Sequence, residues 1–241
     1  MKDRIAVVTG AAGGIGSATV RRLLADGLQV VATDVEGASV RDLSEHHIAL
    51  DVTNPHDVAR AMGEILDRFG RVDVLVNNAG ITGSQEATTA GETAIEEFDR
   101  VMAVNVRGPF LCARALLPAM VDAGGGQIIT IASVAGLIAF PGRCAYTTSK
   151  GAAVMLARSL AVDYGHLGIR SNAICPGMVE TPMTQWRLDQ PDLRARVESR
   201  IPIGRVAQPD DIADAVSVLA SGRLAYANGS AIVLDGGWSS W

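Results

Sequence analysis

Hydrophobic residues recur along the chain in two alternating patterns. Short runs rich in valine and isoleucine contain few polar residues, whereas the longer stretches between them repeat apolar residues every three to four positions. The first pattern predicts strands and the second predicts amphipathic helices. We expect strands at residues 5–8, 30–33, 48–50, 72–76, 128–131, 169–174 and 231–234, and helices at residues 15–25, 55–69, 98–120, 145–164 and 209–220.

The alternation of strands and helices predicts an α/β fold. Strands that are apolar on both faces are typical of a parallel sheet covered by helices on each side. No repeat, low-complexity tract or linker interrupts the pattern in the 241 residues. The sequence therefore predicts one doubly wound domain of Rossmann type over residues 1–241, with a parallel sheet of about seven strands.

A glycine-rich turn joins the first predicted strand to the first predicted helix. It reads Thr-Gly-Ala-Ala-Gly-Gly-Ile-Gly over residues 9–16. Gly10 permits a tight turn, Gly14 lets the backbone approach a pyrophosphate, and Gly16 allows the helix to pack closely. The helix takes Ile15 into its first turn and begins with free N–H groups and the positive end of its dipole. This position favours a nucleotide site over the alternative, a glycine-rich loop without a ligand.

An acidic residue, Asp34, closes the second predicted strand eighteen residues after Gly16. A carboxylate there accepts hydrogen bonds from adenosine ribose hydroxyls and repels a 2′-phosphate. The two positions where a basic residue would serve a 2′-phosphate, residues 13 and 35, hold glycine and valine. The sequence therefore predicts NAD as the cofactor rather than NADP.

Tyr146 and Lys150 lie four residues apart in a predicted helix, and Ser133 stands thirteen residues before the tyrosine at the end of a strand. Four residues make about one helical turn, so we expect the phenol and the ammonium on one face. A neighbouring cation favours phenolate, which predicts a lowered pKa for Tyr146. With a hydrogen bond from Ser133, the three form a proton-transfer site for an alcohol or a carbonyl. The alternative for each residue alone is a packed or solvated side chain.

The charge and composition of the chain indicate which kinds of partner it can bind. A formal net charge of −5 and a pI of about 5.4, without a basic block, argue against nucleic acid or an anionic membrane as partner. The N-terminus leads directly into a strand and no apolar run reaches about 18 residues, so we expect a cytoplasmic protein with a small-molecule substrate. Cys112, Cys144 and Cys175 lack metal-binding spacing, which predicts reduced thiols and no metal, with Cys144 near the site.

The glycine turn, Ser133, Tyr146 and Lys150 occur in the order that is found in the classical short-chain dehydrogenases/reductases, and the sequence resembles that family over essentially its whole length. The resemblance implies NAD-dependent interconversion of a secondary alcohol and a ketone. It implies that Asn105 bends a helix and joins the three as a catalytic residue, a purely structural Asn105 being the alternative. It also implies a homotetramer in which helices around residues 110–120 and 152–164 pack across two-fold axes.

The same resemblance assigns residues to the cofactor. Asp51 and Val52 match positions that contact the adenine, although Asp51 could instead be an ordinary helix N-cap before Pro55. Thr181 matches a residue that holds the nicotinamide amide, and it could also cap a helix. The expected cofactor-binding residues are Gly10, Gly14, Ile15, Gly16, Asp34, Asp51, Val52, Asn78, Ala79, Gly80, Tyr146, Lys150, Pro176, Gly177, Val179 and Thr181.

Two arginines are candidates for substrate recognition. Arg143 stands three residues before Tyr146, and Arg187 lies in residues 184–202, which we expect to form a mobile lid with Trp186. Two guanidinium groups at one pocket would bind a phosphate, a carboxylate or a sulfonate. The alternative is a pair of surface arginines, one of them bonded to Glu180 or Asp189.

Residues 101–107, 139–143, 145–150 and 180–191 resemble the 2-(R)-hydroxypropyl-coenzyme M dehydrogenases of bacterial epoxide metabolism. This narrower resemblance implies that Arg143 and Arg187 clamp a sulfonate and that Met178 and Met183 flank a thioether.

Residues 83–93 and the tail 235–241 could fit another substrate. A broad-specificity alcohol dehydrogenase or carbonyl reductase for neutral substrates therefore stays open, as does a cofactor-binding sensor. Whether Trp238 and Trp241 cover their own site or a neighbour's is also open.

Overall fold

The computed structural model describes residues 3–84, 86 and 88–240. Every strand that the sequence predicts is present, with ends that differ by one or two residues. The strands are β1 (Ile5–Thr9), β2 (Gln29–Asp34), β3 (His46–Ala49), β4 (Val74–Asn77), β5 (Gly126–Ile131), β6 (Ile169–Pro176) and β7 (Ala231–Leu234). The helices are α1 (Gly14–Ala25), α2 (Pro55–Phe69), α3 (Ile95–Met102), α4 (Gly108–Asp122), α5 (Cys144–Tyr164), α6 (Pro182–Leu188), α7 (Pro191–Glu198) and α8 (Pro209–Ala220).

The seven strands form one sheet in the order β3-β2-β1-β4-β5-β6-β7, and all their pairings are parallel. Helices α1 and α8 pack together on one face, and α2, α4 and α5 cover the other. Both faces of the central strands are therefore buried, which explains their nearly unbroken apolar runs. The strand order reverses between β1 and β4, and ligands bind at the carboxyl ends of strands beside such a reversal. The predicted doubly wound sheet is confirmed.

The helix that we expected over residues 98–120 is interrupted. α3 passes into a π-helical turn at Ala103–Arg107, and α4 follows it. Pro109 has no N–H group, so it cannot donate to the carbonyl of Asn105 four residues earlier, and the regular ladder fails at that point. Gly108 packs directly on Val52, where an added Cβ would lie 2.8 Å from Val52 Cγ2. The apolar residues repeat without a break across this point, so the apolar pattern alone predicts one continuous helix.

Two short helices lie within residues 182–198, where the sequence offered Thr181 as a possible cap for the first but did not predict the second. α6 and α7 are short, and each has proline as its first residue. They are fixed over a small apolar cluster in which Leu188, Ile201 and Val206 are buried. Arg194 of α7 also forms an ion pair with Glu180. That residues 184–202 move as a lid stays a prediction.

Other features of the described residues concern membranes, metals and thiols. No helix among them combines the length and the hydropathy that crossing a bilayer requires. No cluster of three or more His, Cys, Asp and Glu side chains in this part of the chain could hold a metal ion. All three cysteines are free, with Cys112 and Cys175 buried and Cys144 half-buried.

Close backbone packing fixes α5 against the turn that follows β5. A Cβ on Gly136 would lie 2.5 Å from the carbonyl oxygen of Lys150 and 3.0 Å from the nitrogen of Gly151. We expect Gly136→Ala to lower the free energy of unfolding by about 1–3 kcal/mol, because the backbone of α5 must shift. Urea unfolding measures this loss. Gly151→Ala is the matched control, since its Cβ would meet nothing closer than 3.6 Å; an equal loss in both variants would contradict the packing argument.

Candidate active site

A cavity of about 400 Å³ opens at the carboxyl ends of the central strands, where the strand order reverses. The glycine turn and Asp34 line one end, and Ser133, Tyr146 and Lys150 line the other. All sixteen residues that we expected to bind the cofactor lie in its wall: Gly10, Gly14, Ile15, Gly16, Asp34, Asp51, Val52, Asn78, Ala79, Gly80, Tyr146, Lys150, Pro176, Gly177, Val179 and Thr181. The fold therefore brings together residues from both halves of the sequence.

The glycine turn has no room for side chains. Gly10 has a φ of +64°, and a Cβ on Gly16 would lie 2.2 Å from the Gly10 carbonyl oxygen. A Cβ on Gly14 would lie 2.7 Å from Cγ2 of Thr181, so the turn touches the start of α6 across the cavity. No side chain caps the N-terminus of α1. The backbone N–H groups of that end are consequently available to an anionic group.

Asp34 ends β2 with its carboxylate fixed at the rim of the cavity. Its Oδ2 accepts a hydrogen bond from the N–H of Ala12 at 2.9 Å, and its Oδ1 accepts one from the N–H of Val35 at 2.8 Å. The carboxylate thus both holds the glycine turn and places a negative charge beside the cavity. Val35 is exposed and apolar, so it offers no positive charge to a phosphate.

Asp51 lines the cavity but does not cap a helix. Its Oδ1 accepts hydrogen bonds from the N–H and the hydroxyl of Thr53, at 2.9 and 2.7 Å. The N-cap of α2 is Asn54, whose Oδ1 accepts from the N–H groups of His56 and Asp57. The alternative interpretation of Asp51 as the N-cap is therefore wrong, because the residue directly before Pro55 takes that position.

Thr181, by contrast, is the N-cap of α6, with Pro182 as the first helical residue. Its backbone N–H donates to the hydroxyl of Thr184 at 3.1 Å. The cap position and the position in the cavity wall are compatible, as the sequence suggested.

Tyr146 and Lys150 project from neighbouring turns of α5 towards Ser133. Nζ of Lys150 lies 5.7 Å from the centroid of the Tyr146 ring and donates to the carbonyl of Ile131 at 2.8 Å. The Ser133 hydroxyl accepts a hydrogen bond from the N–H of Ala135 at 3.1 Å. The three side chains that the sequence placed in one site are therefore adjacent.

The electrostatics of this site differ from the expectation. Burial raises the pKa of Tyr146, and the Ser133 hydroxyl and the charge of Arg143 only partly oppose that rise. Burial also lowers the pKa of Lys150 to about 8, although the nearby Cys175 acts in the opposite direction. The pKa of Tyr146 is thus raised rather than lowered as expected, because loss of hydration outweighs the opposing effects of Ser133 and Arg143. The phenol holds its proton at neutral pH.

Asn105 joins three elements from within the π-helical turn. Its Oδ1 accepts from the N–H of Ile81 at 2.8 Å, and its Nδ2 donates to the carbonyl of Ile81 at 2.8 Å and to the hydroxyl of Ser149 at 2.9 Å. A Cβ on Gly80 would lie 3.3 Å from Oδ1 of Asn105 and 3.4 Å from Nζ of Lys150. Asn105 therefore has a structural function and also lies next to the lysine.

A second cavity of about 240 Å³ meets the first at Ser133 and Tyr146. All five residues predicted to contact the substrate line it: Arg143, Met178, Met183, Trp186 and Arg187. Phe140 and Trp238 add an aromatic wall, with ring centroids 5.4 Å apart. Trp238 thus belongs to the cavity of its own chain, whereas Trp241 lies outside the described residues.

The two arginines face the same space. Nη1 of Arg143 donates to the carbonyl of Ser84 at 2.7 Å, and the guanidinium of Arg187 stacks over the ring of Trp186 at 5.1 Å. Burial lowers the pKa of Arg187, and the positive charge of Arg143 lowers it further. Such mutual repulsion is expected of cations that share a site for an anion.

The two carboxylates that were considered as partners are engaged elsewhere. Glu180 binds Arg194 and Gln208, and Asp189 accepts from the amide of Gln185. The pairing of either arginine with Glu180 or Asp189 is therefore not seen in this structure.

Comparisons with known proteins agree with this geometry. A family model described as enoyl-(acyl carrier protein) reductase matches residues 10–239. The chain is 50% identical over 248 residues to the 2-(R)-hydroxypropyl-CoM dehydrogenase of Xanthobacter autotrophicus (strain ATCC BAA-1158 / Py2), and the match covers 99% of each chain. The chain belongs to the short-chain dehydrogenase/reductase family.

Other short-chain dehydrogenases share its length and fold. The chain is 36% identical over 249 residues to the cyclopentanol dehydrogenase of Comamonas sp. (strain NCIMB 9872), which covers 100% of this chain and 98% of that protein. The crystal structure of levodione reductase matches with a TM-score of 0.94 at 32% identity, and covers 100% of this chain and 99% of that chain. The predicted family is confirmed, and so is the resemblance to 2-(R)-hydroxypropyl-coenzyme M dehydrogenase.

Short-chain dehydrogenases use nicotinamide cofactors, and the first cavity fits such a molecule. It offers unpaired N–H groups at the glycine turn for a pyrophosphate and a carboxylate at one rim for a ribose. Its other end reaches the hydroxyls of Ser133 and Tyr146. Two adjoining cavities thus meet at Ser133 and Tyr146, and the chemistry of the first suits a nicotinamide cofactor.

Sequence reasoning missed several residues that line the second cavity of this short-chain dehydrogenase. Phe140, Pro141, Val134 and Thr82 line it beside the predicted residues. Phe140 stands six residues before Tyr146, and its proximity to the tyrosine was the only available signal. Its contact with Trp238 joins positions almost a hundred residues apart, which no local pattern reveals.

Proposed function

We propose that the chain is an NAD-dependent dehydrogenase that interconverts a secondary alcohol and a ketone, and that its substrate has an anionic tail, as in a 2-hydroxyalkyl-coenzyme M. One observation carries the proposal: two arginines face a cavity that opens at the hydroxyl of Tyr146. An alcohol whose oxygen reaches Tyr146 can thus place a sulfonate, phosphate or carboxylate between the guanidinium groups.

The proposed mechanism transfers one proton through Tyr146. The substrate oxygen lies between Ser133, which donates a hydrogen bond to it, and Tyr146. In ketone reduction the protonated phenol gives its proton to that oxygen; in alcohol oxidation the phenolate takes it back. Lys150 is poised to lose its own proton because its pKa is about 8, and we propose that it exchanges protons with solvent beside Asn105. A bound nicotinamide coenzyme supplies or accepts the hydride.

The preference for NAD rests on Asp34. Its carboxylate is held at the cavity rim by two backbone N–H groups. A 2′-phosphate placed there would meet a negative charge and no compensating cation at Gly13 or Val35. We therefore propose that NADP is used poorly.

The substrate class is further supported by the sulfur-containing side chains and by the relatives. Met178 and Met183 line the substrate cavity with polarizable side chains that suit a thioether. The relative that is 50% identical is a 2-(R)-hydroxypropyl-CoM dehydrogenase by name. A broad-specificity enzyme for neutral alcohols is the second candidate, which the 36% identical cyclopentanol dehydrogenase favours.

Initial rates of reduced-coenzyme formation test the proposal. We expect kcat/KM with NAD⁺ to be about a hundredfold or more higher for one enantiomer of 2-hydroxypropyl-coenzyme M than for 2-butanol, because charge-assisted hydrogen bonds hold the sulfonate. The same assay with NADP⁺ should give much lower rates. Equal activity on both alcohols would favour the second candidate, and equal activity with both coenzymes would contradict the function given to Asp34.

We also propose that residues 1–241 act as one domain and that the protein is a cytoplasmic homotetramer. The outer faces of α4 and α5 carry exposed apolar side chains, namely those of Phe110, Met155 and Val162. These helices are the ones expected to pack across two-fold axes.

A further inference from the structure

We propose that Glu97 is a positioning residue for the anion-binding end of the substrate cavity. Its carboxylate fixes the backbone of Ser84, and the carbonyl of Ser84 fixes the guanidinium of Arg143. The inference rests on the proposed function, since it assumes that Arg143 binds an anionic substrate. Nothing in the spacing of these residues suggests it, because Glu97 precedes Arg143 by 46 positions.

A continuous chain of two hydrogen bonds leads from Glu97 to Arg143. Oε1 of Glu97, in the first turn of α3, accepts the N–H of Ser84 at 2.8 Å. The carbonyl oxygen of Ser84 accepts from Nη1 of Arg143 at 2.7 Å. The backbone of Ser84 is therefore held by the carboxylate of Glu97 through its N–H group, and its carbonyl oxygen in turn holds the guanidinium of Arg143.

The loop closes directly on the carboxylate. Gly83 has a φ of +82°, and a Cβ there would lie 2.6 Å from Oε1 of Glu97. Further along, the N–H of Thr88 donates to the carbonyl of Gly142 at 3.1 Å, which ties the loop to the residue before Arg143. Ser84 thus holds the side chain of Arg143, and Thr88 holds the backbone of the residue before it.

Arg143 needs such an anchor because of its surroundings. Arg187 faces Arg143 with a like charge. Repulsion drives the two guanidinium groups apart unless hydrogen bonds hold at least one of them in place. An arginine held in its binding orientation also loses less conformational entropy when the anion arrives. Removing the anchor should therefore weaken substrate binding without changing the chemical step.

Steady-state kinetics of Glu97 variants test this inference. We expect Glu97→Ala to raise KM for the preferred 2-hydroxypropyl-coenzyme M enantiomer by about tenfold, the usual worth of one charge-assisted hydrogen bond. Its kcat, and its kcat/KM for 2-butanol, should match those of the wild type. Glu97→Gln keeps an acceptor oxygen and should restore most of the lost affinity. Glu96→Ala is the matched control, because Glu96 occupies the same turn of α3 and is exposed.

Three other outcomes are possible, and each contradicts a particular proposal. If Glu97→Ala lowers kcat/KM for both alcohols equally, Glu97 is only structural and the inference is overturned. If the wild type prefers the sulfonate alcohol but Glu97→Ala behaves like Glu96→Ala, the inference alone fails. A wild type without that preference overturns the proposed substrate class and the function of Glu97 with it.

Discussion

Replacement of Tyr146 by phenylalanine should lower kcat by about 10²–10⁴-fold, the usual contribution of a positioned proton donor. The substitution removes the phenolic hydroxyl, which lies beside Ser133 where the two cavities meet. We expect little compensation from Ser133, because an unperturbed serine hydroxyl is a far weaker acid than a phenol; its hydroxyl accepts the N–H of Ala135 and donates to the carbonyl of Pro176. Binding of NADH should change little, since the ring and its packing are retained.

The measurement pairs kcat with coenzyme affinity, the latter from quenching of tryptophan fluorescence. Tyr164→Phe is the control, because Tyr164 ends the same helix far from either cavity. A Tyr146→Phe enzyme that kept a tenth or more of its kcat would remove Tyr146 from the proton-transfer step. It would also revive the sensor hypothesis if the wild type were equally slow.

The double substitution Arg143→Ala with Arg187→Ala should raise KM for the anionic alcohol by about 10²–10⁴-fold, because each charge-assisted hydrogen bond contributes about 1.5–3 kcal/mol. Activity on 2-butanol should persist. Arg143 also lowers the pKa of Tyr146, so its loss should move the pH dependence of alcohol oxidation upward. Each variant is therefore compared at its own pH optimum.

The control for this pair has the same change in net charge. Arg196 and Arg200 lie in or beside α7, are exposed and do not line the second cavity. Replacing both by alanine therefore removes two positive charges from residues 184–202 without changing the cavity wall. Long-range attraction of the substrate would weaken equally in both double variants. If the two pairs of substitutions had the same effect, direct binding of the anion by Arg143 and Arg187 would be refuted.

The sheet and the cofactor cavity could be predicted because their signals are local. Buried parallel strands need nearly continuous apolar residues, and the turn after β1 needs glycines where Gly10 and Gly16 approach other backbone atoms. Asp34 is likewise placed by its position at the end of a strand. The glycine spacing and the acidic residue at the end of a strand can be read within a few residues of sequence, although Gly10 itself packs against the distant Ala79.

What could not be predicted depends on contacts that are distant in sequence or on burial. α6 and α7 are too short to establish an apolar period. The pKa of Tyr146 rises because of enclosure by several elements, whereas the sequence showed only its neighbour Lys150. Phe140 and Trp238 meet only in the folded chain. Pro109 was visible in the sequence as a signal for an interrupted helix. That it leaves the carbonyl of Asn105 without its usual helical donor is clear only from the structure, in which α4 continues past Pro109.

The packing of α1 against α8 has a consequence for biosynthesis. One apolar face of the sheet is covered jointly by Leu23 of the first helix and by Ile212 and Val216 of the last. Because α8 follows β6 in the chain, six of the seven strands precede the helix that completes this cover. Chains in which α8 has not yet been made therefore expose apolar side chains of this face, and exposed apolar surface favours aggregation.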